Sequence, residues 1–263
     1  MKSTLLRCIG AAILWGGFQA IFFLSVKGEV IFSDIILKFG FSEVSINLVY
    51  LIELSIQFLP FFIFQILFGT VIYQHFCSAS IYYFSRCHHR GKWFLKESLK
   101  LYSYSLIYPL TMVGFATIIA SSTNEILFDQ ASIILFFYYL AIHSLWLFIT
   151  ALLMNIMSIR FDSSIGFMVI VGFQLFCVSM LLLWEDVSLT NQSAFFLKLN
   201  PISHLILSWH NSNNLGLNDR INFLNIDLSL NASILYFFIL CLLSVGSGLF
   251  IVKKQEWITL NKE

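Results

Sequence analysis

Six polar side chains interrupt long apolar stretches of this sequence: Gln19, Glu53, Gln57, His143, Thr150 and Gln174. A polar group at membrane depth is costly, so such residues face protein or a wet cavity and are the best guide to a path. Glu53 and Gln57 are i, i+4 on one helical face, one turn before Pro60. Glu53 also lies close to the end of its stretch, where a carboxylate reaches interfacial water. His143 reads as a hydrogen-bonded packing residue, because partners for a metal or haem are missing from its surroundings. His204 and His210 form an H-x5-H pair, a weak metal signal, and read as polar groups on a hairpin tip. A path lined by Phe, Met and single amides suits an amphiphilic or hydrophobic molecule such as a peptide or lipid; small ions would need more charge.

Catalytic motifs are missing. The sequence has no G-x-x-x-x-G-K-[ST] phosphate loop, no H-E-x-x-H, no G-x-S-x-G and no paired glutamates on an apolar stretch, so it reads as a chain that is not itself an enzyme. Its five cysteines are odd in number and lack C-x-x-C spacing, which suggests neither a disulfide framework nor a zinc site.

The elements that must position these residues follow from composition. Of 263 residues, 59% are apolar and only 11% are charged, which excludes a water-soluble globule, a disordered chain and a basic nucleic-acid binder. A spanning helix needs about 20 mostly apolar residues. Six stretches qualify, at 8–26, 48–76, 101–122, 131–159, 163–184 and 228–252. Runs such as Ile133-Ile-Leu-Phe-Phe-Tyr-Tyr-Leu140 are apolar all round rather than alternating, so they predict helices and not barrel strands. The fold class expected is therefore all-α: a polytopic helical membrane protein with six transmembrane helices in one domain.

Orientation follows from lysine and arginine in the connections. With a cytoplasmic N-terminus, 11 cations fall inside and four (Lys27, Lys38, Lys198 and Arg220) outside, and both termini are cytoplasmic. The first stretch reads as an uncleaved helix, since its 19 uncharged residues exceed a usual signal-peptide core and no A-x-A-like site precedes Lys27.

Three connecting segments are more than plain loops. The helical pattern of the second span continues past His75 toward Phe84; 29 positions from 48 to 76 would already reach about 43 Å, beyond the hydrocarbon core. The cytoplasmic segment 77–100 follows, holding five of the inside cations, with Gly91 expected to break it into two short helices. This segment either anchors at the headgroups or docks a soluble partner through aromatic knobs and cations. Outside, Ile31, Phe32, Ile35, Ile36 and Phe39 form one apolar face, predicting a short interfacial helix ended by Gly40. In the outer segment 185–227, the run 195–209 is too short to cross and is broken at Asn200-Pro201, which predicts a re-entrant helical hairpin carrying Asn200, Pro201, His204 and Trp209; the stretch 211–225 reads as a solvated loop. Small residues at Gly10, Gly16 and Gly17 and at Ser244, Gly246 and Gly248 allow close helix packing, within the chain or across a dimer seam.

Six spans, a prolonged second helix, a basic connection before the third and a broken outer hairpin together resemble the permease subunit of bacterial ATP-binding-cassette exporters of the second type, in particular small permeases of peptide-antibiotic export or immunity systems. The likeness is carried at motif level by Tyr83-Phe-Ser-Arg86, Arg90, Lys92-Trp-Phe-Leu-Lys-Glu97 and Asn200-Pro-Ile-Ser203, whereas the R-E-R-E and G-T pattern common in that connection is absent. The resemblance implies a bacterial inner-membrane location, a separate nucleotide-binding subunit that carries ATP and Mg, a second permease subunit, and docking of the ATPase on Tyr83, Phe84, Arg86, Arg90, Trp93 and Lys96. It implies no cofactor in this chain and no nucleic-acid partner. A rival expectation from another class is a scaffold or immunity protein that sequesters a toxin at the outer hairpin.

Overall fold

The computed structural model describes residues 2–23, 28–40, 48–82, 90–182, 191–222 and 228–254. Apolar stretches whose backbone groups can be satisfied only internally coil into helices. In chain order these are α1 (Lys2–Phe23), α2 (Phe32–Phe39), α3 (Leu48–Phe68), α4 (Val71–Tyr82), α5 (Arg90–Ser121), α6 (Gln130–Arg160), α7 (Ser163–Leu182), α8 (Asn191–Leu199), α9 (Leu215–Ile221) and α10 (Leu230–Lys254). Six helical segments are long and apolar enough to cross a membrane: α1, the joined pair α3 and α4, α5, α6, α7 and α10.

α6 is the central rod. Every side chain from Ile142 to Leu152 is buried, and the helix touches α2, α3, α4, α5, α7, α9 and α10. A helix apolar on all sides is stable only where neighbours or lipid cover all sides. α1 lies along α5, where Gly16 lets the two backbones meet: a Cβ there would collide with the Met112 carbonyl. Gly248 of α10 is likewise required, because the Phe94 ring occupies the space a side chain would take. Gly10 and Gly246 face open space, so the two small-residue patches divide between packing inside the chain and the bundle surface. That surface is apolar, with Leu14 76% and Leu243 64% exposed, a belt suited to hydrocarbon.

Charges separate to opposite ends of the bundle. Arg90, Lys92, Lys96, Lys100, Arg160, Lys253 and Lys254 gather at one end, where Gly91 lies against the Lys253 side chain. The other end holds two strand pairs absent from the all-helical expectation: β1 (Glu29–Ile31) runs parallel to β2 (Glu125–Leu127), and β3 (His210–Asn211) parallel to β4 (Leu228–Ser229). Each ties together segments distant in sequence. Arg220 of α9 adds a staple, reaching Asp129 at 3.1 Å, Ser33 of α2 at 2.7 Å and Ser132 of α6 at 3.1 Å. Asp129 caps α6 by accepting from the Ser132 N–H.

Several elements differ from expectation. α2 forms where its apolar face predicted a helix, but that face packs on α5 and α6, burying Ile35, Ile36 and Phe39 rather than resting on an interface. α5 begins at Arg90 and takes in Gly91, so residues 90–100 are its first turns and not a separate short helix. Leucine and lysine there favour helix strongly enough to carry one glycine. The stretch 211–225 includes α9, whose Leu217 and Ile221 are buried, and is not simply a solvated loop.

Candidate functional site

Of the expected docking residues, Tyr83, Phe84 and Arg86 lie outside the described residues, and Arg90, Trp93 and Lys96 lie on the first two turns of α5. The structure divides the face they were expected to share. Phe94 is fully buried, and Trp93 packs on Phe76 of α4 at 5.9 Å between ring centroids. Lys92, Leu95, Lys96 and Leu99 are exposed, and their i, i+3, i+4, i+7 spacing makes one amphipathic stripe. On the inner face, Glu97 accepts from Lys100 at 2.5 Å and meets His75 of α4 at 3.1 Å, beside a cavity of about 110 Å³ that Thr4 and Tyr104 also line.

The long second helix is jointed. Between α3 and α4, Gly69 and Thr70 form a turn, and the side chain of Asn155 from α6 is spliced into the hydrogen-bond ladder. Its Nδ2 donates to Phe68 O at 2.8 Å, while its Oδ1 accepts from the N–H groups of Ile72 at 2.7 Å and Tyr73 at 3.1 Å. One amide thus satisfies the carbonyl and amide that a continuous helix would pair with each other. Gly69 is required, since a Cβ there would strike Met154 beside Asn155. Interrupted backbone inside an apolar bundle is tolerable only with such a partner. Asn155 was not singled out in the sequence; a lone amide within an apolar run was its available signal.

Among the described side chains, the expected path residues do not converge on one channel. Gln19 and Gln57 are buried, and only the backbone of Glu53, in α3, is described. Gln174 pairs with Gln65 through two reciprocal amide hydrogen bonds of 3.0 and 3.1 Å. Gln65, which sequence reading passed over, therefore locks α3 to α7. His143 donates from Nδ1 to Tyr139 O at 3.0 Å and packs against the rings of Phe61 and Tyr139. Of the five whose side chains are described, Thr150 lines a large cleft, about 380 Å³, bounded by Trp146, Ile149 and Leu153 of α6, Ile170 and Phe173 of α7, Pro201, and Tyr236, Leu240 and Leu243 of α10.

The segment 191–210 is a helix followed by a buried plug. α8 ends at Asn200, whose Oδ1 accepts from Ile202 N–H at 2.9 Å while its Nδ2 donates to Cys177 O at 2.8 Å, fixing the turn against α7. From Pro201 to His210 every residue is buried, in two single 3₁₀ turns at Ser203–Leu205 and Leu207–Trp209 rather than a second helix. Leu207 N–H donates to Gly40 O at 3.0 Å, joining the plug to the end of α2. His204 and His210 are not on an exposed tip. His204 Nε2 donates to Lys198 O at 2.8 Å and His210 Nδ1 to Ile206 O at 2.9 Å, so both free ring lone pairs turn to the Ser233 hydroxyl of α10, at 2.8 and 2.7 Å. Burial holds both rings neutral, pushing His210 down to about 3 and lowering His204, whose ring stacks on Tyr236. Among the described residues no three His, Cys, Asp or Glu side chains converge as a metal-ligand set.

In comparison with known proteins, the chain matches no family model, no curated protein and no solved structure.

Proposed function

We propose that this chain is the permease subunit of an ATP-driven exporter, moving an amphiphilic or hydrophobic substrate across the bacterial cytoplasmic membrane with a second permease beside it and ATP hydrolysed on a separate subunit. The observation that carries this reading is the cationic end of the bundle. A second spanning segment prolonged to Tyr82 leads to it, and α5 leaves it displaying the Lys92, Leu95, Lys96 and Leu99 stripe to solvent. Alternating cations and leucines on a short exposed helix face fit a groove on a soluble partner. The segregation of cations to this end supports placing it, with both termini, in the cytoplasm.

In this mechanism ATP closes two ATPase subunits, which push on the α5 stripe and on α4. Motion passes up the second helix through the joint at Gly69-Thr70 and reopens the seam between permeases on the outer side, a rigid-body alternation with no chemistry in this chain. The rival immunity reading needs an outer surface that captures a toxin. The burial of 201–210 favours the transport reading over capture on that stretch, while Phe195, Phe196 and Leu199 of the same run are exposed.

Co-purification from native membranes tests the proposal. Replacing Lys92, Leu95, Lys96 and Leu99 together by Ala is expected to abolish recovery of an ATPase subunit while membrane insertion and yield stay unchanged. Recovery of the same ATPase with the quadruple variant sinks the docking assignment.

A further inference from the structure

A groove of about 330 Å³ opens on the flank of the bundle next to its cationic end, between Leu95 and Leu99 of α5, Phe148 of α6, and Phe238, Cys241 and Val245 of α10. Leu95, Leu99 and Phe238 are exposed along it, so a molecule outside the chain can lie on them. Depth selects that molecule. On α10, Val245 and Phe238 precede Lys253 by about 12 and 22 Å at about 1.5 Å per residue. A headgroup layer and half a hydrocarbon core together measure about 20–22 Å. With Lys253 among the headgroups, the groove runs from beneath them to the midplane. It has the depth of one leaflet and one acyl chain, and lies beyond the reach of a soluble protein.

Charge selects the headgroup. Lys92, Lys96 and Lys253 are exposed and have no acidic partner among the described residues. The described acids at this end are Glu97, already held by Lys100 and His75, and Asp162. Lys253 Cε lies 3.4 Å from where a Cβ on Gly91 would stand, which brings a cation of α10 to the start of α5. Lys92 is next in sequence, and at i, i+3 from Leu95 it shares a face with the groove wall. A zwitterionic lipid carries its own ammonium, which offsets the attraction of these lysines for its phosphate. An anionic lipid keeps that attraction in full.

We infer that the groove between α5, α6 and α10 is a binding site for an anionic phospholipid, with one acyl chain on Leu99, Phe148 and Phe238 and the phosphate on Lys92 and Lys253. The inference goes beyond the transport reading and does not depend on it. Lys253 lies outside the stripe proposed to dock the ATPase, so the two readings fail separately.

The test uses the full chain in phosphatidylcholine nanodiscs without ATPase, doped with either a phosphatidylglycerol or a phosphatidylcholine that carries a diazirine at mid-chain. The anionic probe is expected to label Leu99, Phe148, Phe238 or Val245 at least about 5-fold more than the choline probe, and unlabelled phosphatidylglycerol to compete where added phosphatidylcholine does not. Lys92→Gln and Lys253→Gln are each expected to lower that labelling about 5-fold. Lys254→Gln serves as control, because that ammonium stands 4.3 Å over the Phe250 ring, and is expected to change it less. Cys241→Trp, which fills the groove, is expected to abolish it. Equal labelling by the two probes, unchanged labelling when Lys92→Gln and Lys253→Gln are combined, persistence at those residues in Cys241→Trp, labelling of Leu14 on α1 as strong as in the groove, or cross-links to a second copy through the groove would each overturn the assignment. ATPase recovery is read separately: its failure sinks the transport reading with lipid labelling intact, whereas loss of labelling in Lys253→Gln leaves the complex standing.

Discussion

Asn155 does more for this fold than its single amide suggests. Asn155→Ala removes the partner of three backbone groups at once, each orphan costing about 1–3 kcal/mol in a dry interior. The expected result is a lower Tm in detergent and faster hydrogen exchange at the Ile72 and Tyr73 amides. Unchanged protection there would mean that the Gly69-Thr70 turn closes into ordinary helix and that the joint is not held by this side chain. His204 and His210 make a pH prediction. Ser233 has one proton for two neutral acceptor rings, so adding a proton to the cluster would complete a charge-assisted hydrogen bond worth about 1.5–3 kcal/mol. Moving a charge into a site this buried costs several kcal/mol, so desolvation wins and the docked rings stay neutral. The undocked plug, with ordinary histidines near 6.5, therefore binds more protons than the docked one. Docking strength is full at neutral pH and falls as pH drops below about 6.5, by about 1.4 kcal/mol per unit for each ring that protonates only when released. Thiol labelling of Leu205→Cys should rise as pH is lowered from 7.5 to 5. A labelling rate flat across that range contradicts the assignment of neutral buried rings.

Elements are positioned here by close approach more than by amphipathic pattern. Gly16 and Gly10 sit on the same helix six residues apart, yet only Gly16 meets the backbone of α5. Gly16→Leu is expected to separate α1 from α5 and leave a chain that aggregates on size-exclusion chromatography. Gly10→Leu is expected to keep the elution position of the unsubstituted chain and its Tm within a degree or two. Equal damage from both would show that α1 packs on a face other than the one described. α2 makes the same point. Its periodicity was legible as an apolar face, but whether that face rests on lipid or protein depends on Ser33 meeting Ser132, Arg220 reaching both, and Leu207 closing on Gly40. Those are contacts between residues far apart in the chain.

The whole molecule is a bundle whose two ends differ in charge and construction, one cationic with exposed helix starts, the other closed by short strand pairs, α2 and the plug. With the native cysteines replaced by alanine, a cysteine at Lys96 is expected to react with a membrane-impermeant maleimide only after spheroplasts are broken, and one at Asn214 in intact spheroplasts. The opposite pattern would invert the protein and remove the docking argument with it.

Six apolar stretches, their helical state and the excess of cations on alternate connections were determined by the sequence, because burying backbone in hydrocarbon and holding charge at its surface are local costs that each stretch meets by itself. The joint in the second helix, the split of Trp93 from Lys96 and the burial of His204 and His210 were decided only by tertiary structure. A hydrogen bond or a void at membrane depth depends on what the neighbouring rod brings to the same level, and residues 87 positions apart, such as Phe68 and Asn155, carry no local pattern that reports it.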